Sequence, residues 1–72
     1  MTWESFNSFT SSNISSLRYQ ASSLTLEVSF HNGGVYQYYD VPPQVWEGFK
    51  SAESQGKYLA EHIKGHYRYS KV

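Results

Sequence analysis

Residues 24–43 read LTLEVSFHNGGVYQYYDVPP, and this stretch decides the fold. Leu24, Leu26, Val28 and Phe30 alternate with Thr25, Glu27 and Ser29, the pattern of a half-buried antiparallel strand. His31-Asn32-Gly33-Gly34 supplies a turn, and Asn-Gly is the strongest short hairpin signal. Val35 to Val41 is the return strand. Val41-Pro42-Pro43 then ends the sheet, because proline donates nothing to a ladder and holds the residue before it extended.

The facing of the return strand depends on the turn. A two-residue Asn32-Gly33 loop pairs Phe30 with Val35, Val28 with Gln37 and Leu26 with Tyr39. Cross-strand partners share a face, so Val35, Tyr39 and Val41 join the core and Tyr36 and Tyr38 lie beside Ser29 and Glu27 on the far side. A three-residue loop ending at Gly33 shifts the pairing by one and exchanges every side chain between faces. Gln37 inward is the blemish of the first register, Asp40 inward that of the second. The Asn-Gly dipeptide favours the first.

Working outward, residues 13–20 (NISSLRYQ) form a preceding strand with a bulge near Ser15-Ser16, and Ala21-Ser22-Ser23 turns it. Residues 1–8 read as a loosely ordered extension, with Phe9 docking on the core and 9–72 as one domain. Beyond the prolines, Pro43 suits the first turn of a helix, and Val45, Trp46 and Phe49 make its apolar stripe. Ser54 is an N-cap for a second helix carrying Tyr58, Leu59, His62 and Ile63, closed by Gly65. Residues 66–72 (HYRYSKV) alternate aromatic and basic side chains as an edge strand or ordered tail. Strands first and helices second give an α+β fold. It comprises a three-stranded antiparallel meander, two helices on one face, and room for a short C-terminal strand.

Seventy-two residues with seven Tyr, four Phe and two Trp make one small domain with an aromatic core. Without cysteine there is no disulfide or thiolate metal site. No apolar run approaches a membrane span, and MTWESFNSF lacks the features of a signal peptide. The expectation is a cytoplasmic protein with no membrane partner. Net charge is zero, yet residues 1–49 hold one basic side chain against four acidic ones, and residues 50–72 hold five against two. A basic C-terminal half draws phosphates in a salt-dependent way.

Enzyme signatures fail. Gly56-Lys57 lacks the upstream glycine of a phosphate loop, and Tyr58 replaces its Ser/Thr. His62 and His66 have helical ligand spacing, but Gly65 intervenes and no third ligand is near. No nucleophile elbow or triad spacing surrounds the serines, and no cofactor is implied. Asn13-Ile14-Ser15 matches a glycosylation acceptor without a secretory context. Two features remain. Tyr36 and Tyr38, two apart on a strand, share a face and can stack unpaired bases, or pack beneath a helix or the tail. Tyr67, Arg68 and Tyr69, with Lys64 and Lys71, can grip a nucleic-acid backbone, or form a solvated edge strand.

Taken together, SSNISSLRY at 11–19, LEVSFHNGGVYQY at 26–38, Val41-Pro42, SQGKY at 54–58 and IKGHYRY at 63–69 resemble the KTSC domain. This is a small bacterial family named for the C-terminus of some lysyl-tRNA synthetases and also found free-standing. The resemblance covers about residues 9–70, and the chain length suggests a free-standing version from a bacterial or phage genome. The family's central Y-x-Y hallmark falls on Tyr36 and Tyr38, and the synthetase association implies RNA as partner. The resulting expectation is a non-enzymatic domain that binds RNA or single-stranded nucleic acid. Tyr36, Tyr38 and Tyr69 would meet bases, and Lys57, Lys64, Arg68 and Lys71 phosphates. The rival is a protein-interaction module using the aromatic surface or an open sheet edge.

Overall fold

A computed structural model describes residues 2–7 and 9–72. Five strands pair antiparallel in sequence order: β1 (Glu4–Phe6), β2 (Ile14–Gln20), β3 (Thr25–Phe30), β4 (Val35–Tyr38) and β5 (Tyr69–Lys71). The α+β architecture stands, and the meander extends by one strand at each edge. Glu4–Phe6, read above as part of a loose extension, is strand β1, with Phe6 opposite Leu17. Met1 and Ser8, from the same stretch, lie outside the described residues. The bulge falls between Ile14 and Ser16, as the broken alternation there predicts.

The hairpin takes the three-residue loop. Val28 pairs with Tyr36 and Leu26 with Tyr38, so the favoured register is corrected. Val35 and Tyr39 leave the core face, and Tyr36 and Tyr38 enter it. The cause lies in the turn. Gly33 N–H donates to Phe30 O at 3.0 Å, and Gly33 adopts φ +95°. That is a type I turn followed by a left-handed bulge residue. The two-residue turn needs a left-handed Asn32. Leu24 and Asp40 are the only non-glycine residues with positive φ among those described. Both blemishes disappear in this register. Gln37 points away from the core and donates to Glu27 Oε1 at 2.9 Å. The strand stops at Tyr38, and the left-handed Asp40 (φ 59°) turns the chain so that Val41 still reaches the core. Leu24 (φ 53°) belongs to the preceding turn rather than to β3.

Helix α1 (Pro43–Ser51) begins on Pro43 and lays Trp46 and Phe49 against Leu17, Leu26 and Val28. Trp46 stacks on Tyr19, whose hydroxyl donates to Val41 O at 2.5 Å. The Trp46 Nε1 is buried without a partner of hydrogen-bond geometry among the described residues. The nearby Glu4 carboxyl is held below the usual range, first by its bond from Lys50 and then by that indole. Buried Gln55 donates to Phe49 O and Ala52 O and so closes the end of α1, where carbonyls otherwise lack partners. Helix α2 (Gln55–Tyr58) is capped by Ser54 Oγ, which accepts from Lys57 N–H. It widens into a π-helical turn, Leu59–Ile63, closed by Lys64 N–H to Leu59 O at 2.8 Å. Leu59 and Ile63 complete the core.

The uncovered face of the sheet is polar. Arg18, Glu27, Gln37 and Ser70 lie in one row across four strands. Arg18 donates to both Glu27 oxygens and sits 4.2 Å from the Trp3 ring centre. That pair holds the Glu27 carboxyl below its ordinary value, with a smaller contribution from Gln37. No helix among the described residues is long and apolar enough to cross a membrane.

Candidate functional site

The helices cover the middle of the sheet but not the rows at β4 and β5. Leu26, Tyr38 and Tyr69 form one cross-strand row, and Val28, Tyr36 and Lys71 the next. Side chains in such a row share a face. Leu26 and Val28 are buried in the core, while Tyr36, Tyr38 and Tyr69 line a groove of about 960 Å³. This is the upper end of the usual range for a ligand site, about 300–1,000 Å³.

Aromatic rings make one side of the groove. Phe30 meets Tyr36 edge-on at 5.6 Å, Tyr36 meets Tyr69 at 5.9 Å, and Tyr69 meets Tyr38 at 5.6 Å. Exposure rises outward through the cluster: Tyr38 is 4% exposed, Tyr36 is half-buried and Tyr69 is 60% exposed. Burial pushes the Tyr38 hydroxyl pKa up, with Tyr69 and Tyr36 adding to it. Tyr38 is therefore a floor residue, and Tyr36 and Tyr69 offer ring surface to a ligand.

The end of the π-helical turn supplies Lys64 and Gly65. The Lys64 ammonium lies 5.9 Å from the Phe30 ring centre. The other side combines two turns. Ser12 and Asn13 come from the bend before β2, and His31 and Asn32 from the β3–β4 turn. His31 joins them, donating N–H to Asn13 O at 2.9 Å and Nε2–H to Ser11 O at 3.1 Å. No carboxylate lines the groove, and neither Lys64 nor Lys71 has an ion-pair partner among the described residues.

Of the residues singled out from sequence, Tyr36, Tyr38, Tyr69 and Lys64 come together here. Lys71 stands opposite Tyr36 on the same face. Arg68 turns instead to Asp40 (3.0 Å) and the Tyr39 ring. Lys57 borders a separate recess with Glu53 and Glu61. Tyr67 packs inward on the core. Sequence reasoning missed Phe30, Asn13, His31 and Asn32 as site residues. Asn13 and Asn32 read as ordinary turn residues, and no local signal says that their two turns are neighbours. No group of three or more His, Asp or Glu able to hold a metal occurs among the described residues.

A model of the KTSC domain matches residues 10–67. The chain is 38% identical over 59 residues to the lysine–tRNA ligase of Trichormus variabilis, an alignment taking in 82% of this chain and 10% of the ligase. It therefore spans about a tenth of that relative's length. It is also 38% identical over 63 residues to a protein of Stutzerimonas stutzeri, covering 86% of this chain and 89% of that one. The crystal structure of a KTSC domain protein from Yersinia pestis matches with a TM-score of 0.91 at 32% sequence identity, over 99% of both chains.

Proposed function

The chain belongs to the KTSC domain family, and on that premise we propose that it is a small non-enzymatic domain that binds single-stranded RNA in the cytoplasm. The observation that carries this reading is the groove: Tyr36 and Tyr69 expose ring surface beside Lys64, Lys71 stands opposite Tyr36, and no carboxylate among the described residues lines it to repel a phosphate. Aromatic faces beside free cations are how single strands are held, bases on rings and backbone on ammonium groups. Three of the longer stretches that carry the family pattern line this groove, and the fourth packs behind it. Asn13, Asn32, Tyr36, Lys64 and Tyr69 line it, and Gly56 backs Asn13, since a Cβ there would lie 3.1 Å from its Oδ1. A ligase acting on tRNA among the relatives favours RNA over other polyanions.

The test is a titration of the intact chain with single-stranded RNA at low salt, followed by NMR. The Tyr36 and Tyr69 ring resonances are expected to shift, and a Tyr36→Ala/Tyr69→Ala double variant is expected to bind far more weakly. An absence of binding to varied RNA and DNA sequences would sink the proposal.

The second reading, a protein-interaction module, draws on β5. That strand ends the sheet and all three of its residues are exposed, so a partner strand could add to it. Capture of a protein that survives Tyr36→Ala/Tyr69→Ala, with RNA binding absent throughout, would favour this reading.

A further inference from the structure

The groove's hydrogen-bonding groups are committed by the backbone, and the commitment has a direction. Ser11 Oγ accepts the N–H groups of Asn13 (3.3 Å) and Ile14 (3.1 Å). With both acceptor positions used, its own proton goes to Asn13 Oδ1 at 2.9 Å. That oxygen also faces Gly56 of α2. The free end of the Asn13 amide is therefore its NH2 group. Asn32 is fixed the same way. A backbone N–H only donates, so the atom receiving Gly34 N–H at 2.9 Å must be the Asn32 oxygen. Its NH2 is again left over. The amide lies beside the ring cluster: a Cβ at Gly34 would meet Asn32 Oδ1 at 3.2 Å and Tyr36 Cε1 at 3.4 Å. Lys64 adds an ammonium, which donates only. The hydroxyls of Tyr36, Tyr38 and Tyr69 can take either role, and His31 Nδ1 is the remaining ring nitrogen.

Two asparagines and a lysine thus present donors, and no carboxylate among the described residues lining the groove offers a strong acceptor. We propose that the groove selects nucleobases with a carbonyl at pyrimidine C4 or purine C6 over those with an amine there: uracil over cytosine, and hypoxanthine or guanine over adenine. Uracil O4, like thymine O4, and guanine O6 and N7 are acceptors, whereas the cytosine and adenine amines are donors. An amine facing the asparagine NH2 groups finds no acceptor in them, whereas a carbonyl gains a hydrogen bond. Stacking on Tyr36 and Tyr69 does not distinguish the bases. The discrimination belongs to Asn13, Asn32 and Lys64.

This inference rests on the single-strand reading of the groove and fails separately from it. Fluorescence anisotropy with equal-length labelled oligo(U), oligo(C), oligo(I) and oligo(A) gives the affinities of the intact chain at one low salt concentration. Oligo(U) is expected to bind about tenfold more tightly than oligo(C), and oligo(I) about tenfold more tightly than oligo(A), the size of one well-made base contact. Asn32→Ser keeps a side-chain oxygen for Gly34 N–H but removes the NH2 group. It is expected to reduce both ratios to about threefold or less while retaining binding. Equal affinities within each pair overturn the base preference and leave RNA binding in place. Failure of all four oligomers to bind overturns both.

Discussion

The salt dependence of the proposed RNA binding can separate this groove from a diffuse basic surface. The C-terminal half carries five cations, but only Lys64 lines the aromatic groove, with Lys71 next to it opposite Tyr36, and neither has a carboxylate partner among the described residues. Lys50 is engaged by Glu4 and Glu47 and Arg68 by Asp40, while Lys57 borders a different recess. For single strands, log Kobs falls with log salt at about −0.7 per phosphate neutralised. Two contacts give a slope of about −1.4, so a fourfold rise in salt weakens binding roughly sevenfold. If Lys57 and Arg68 also met phosphates, the slope would be about −2.8 and the same rise would cost roughly fiftyfold. Anisotropy titrations over a series of salt concentrations read the slope directly. Lys64→Gln is expected to reduce it to about −0.7, and Lys57→Gln to leave it unchanged. A wild-type slope near −2.8, or a response to Lys57→Gln but not to Lys64→Gln, would show that the groove is not where the strand lies.

Exposure separates binding from folding within the aromatic cluster. Tyr69→Ala, at a residue 60% exposed, is expected to leave the urea midpoint nearly unchanged while costing about 1–3 kcal/mol of binding. Tyr38→Ala, at 4% exposed, is expected to destabilise the fold by about 3 kcal/mol or more, and equal urea midpoints for the two variants would contradict that division. At the helix junction, a Cβ on Gly48 would lie 2.7 Å from the Tyr58 hydroxyl and 3.3 Å from Cζ. Gly48→Ala gains about 1 kcal/mol of helix propensity. It loses roughly 1–3 kcal/mol to overpacking and about 1 kcal/mol with the Tyr58–Val45 bond, so a net loss is expected by urea unfolding. Tyr58→Phe should relieve part of it in a double-mutant cycle, and a more stable Gly48→Ala would refute the close approach. Glu27 has a lowered folded-state pKa, chiefly through Arg18, so its stabilisation is present above the unfolded value of about 4.5. It is lost as pH falls through the folded value. Glu27→Gln should therefore be less stable than wild type near neutral pH and converge with it in acid; a constant difference across that range would exclude the ion pair as the cause.

Much of the fold was legible because it is written in local chemistry. The alternation of Leu26, Val28 and Phe30, the Ser15-Ser16 irregularity, Pro43 at a helix start and Ser54 as a cap each act within a few residues, and each appears in the structure where the pattern puts it. Strand β1 was hidden because its three residues are largely exposed at the sheet's edge, so they carry little alternation. What was not legible locally is how far one turn lies from another. Asn13 and Asn32 are 19 positions apart in sequence, and contacts between the two turns, the bonds from His31 N–H to Asn13 O and from its ring to Ser11 O, place them side by side.

The hairpin register shows why the site itself resisted reading. Asn-Gly serves two turns, as the two central residues of one and as the last two loop residues of the other. The dipeptide alone does not choose between them; the surrounding side chains do. In the observed turn Asn32 Oδ1 receives Gly34 N–H, which leaves the amine as the uncommitted end of a side chain that lines the groove. The same turn brings Tyr36 and Tyr38 to the helix face and Gln37 to Glu27. In the other register both tyrosines would stand on the polar row with Arg18 and Glu27, away from Phe30 and Lys64, and no ring-lined groove would form. The preference of this turn for a left-handed Gly33 is therefore also what assembles the candidate site. A Cβ at Gly33 meets no atom of the described residues within 4 Å, so the strain of Gly33→Ala lies in φ +95°. That variant isolates backbone conformation from packing. The expected outcome is a loss of about 1 kcal/mol in urea unfolding, together with weaker RNA binding as the turn and its Asn32 amine loosen. Unchanged stability and unchanged binding in Gly33→Ala would mean that the turn does not hold the register, and that the groove is assembled by the core beneath it.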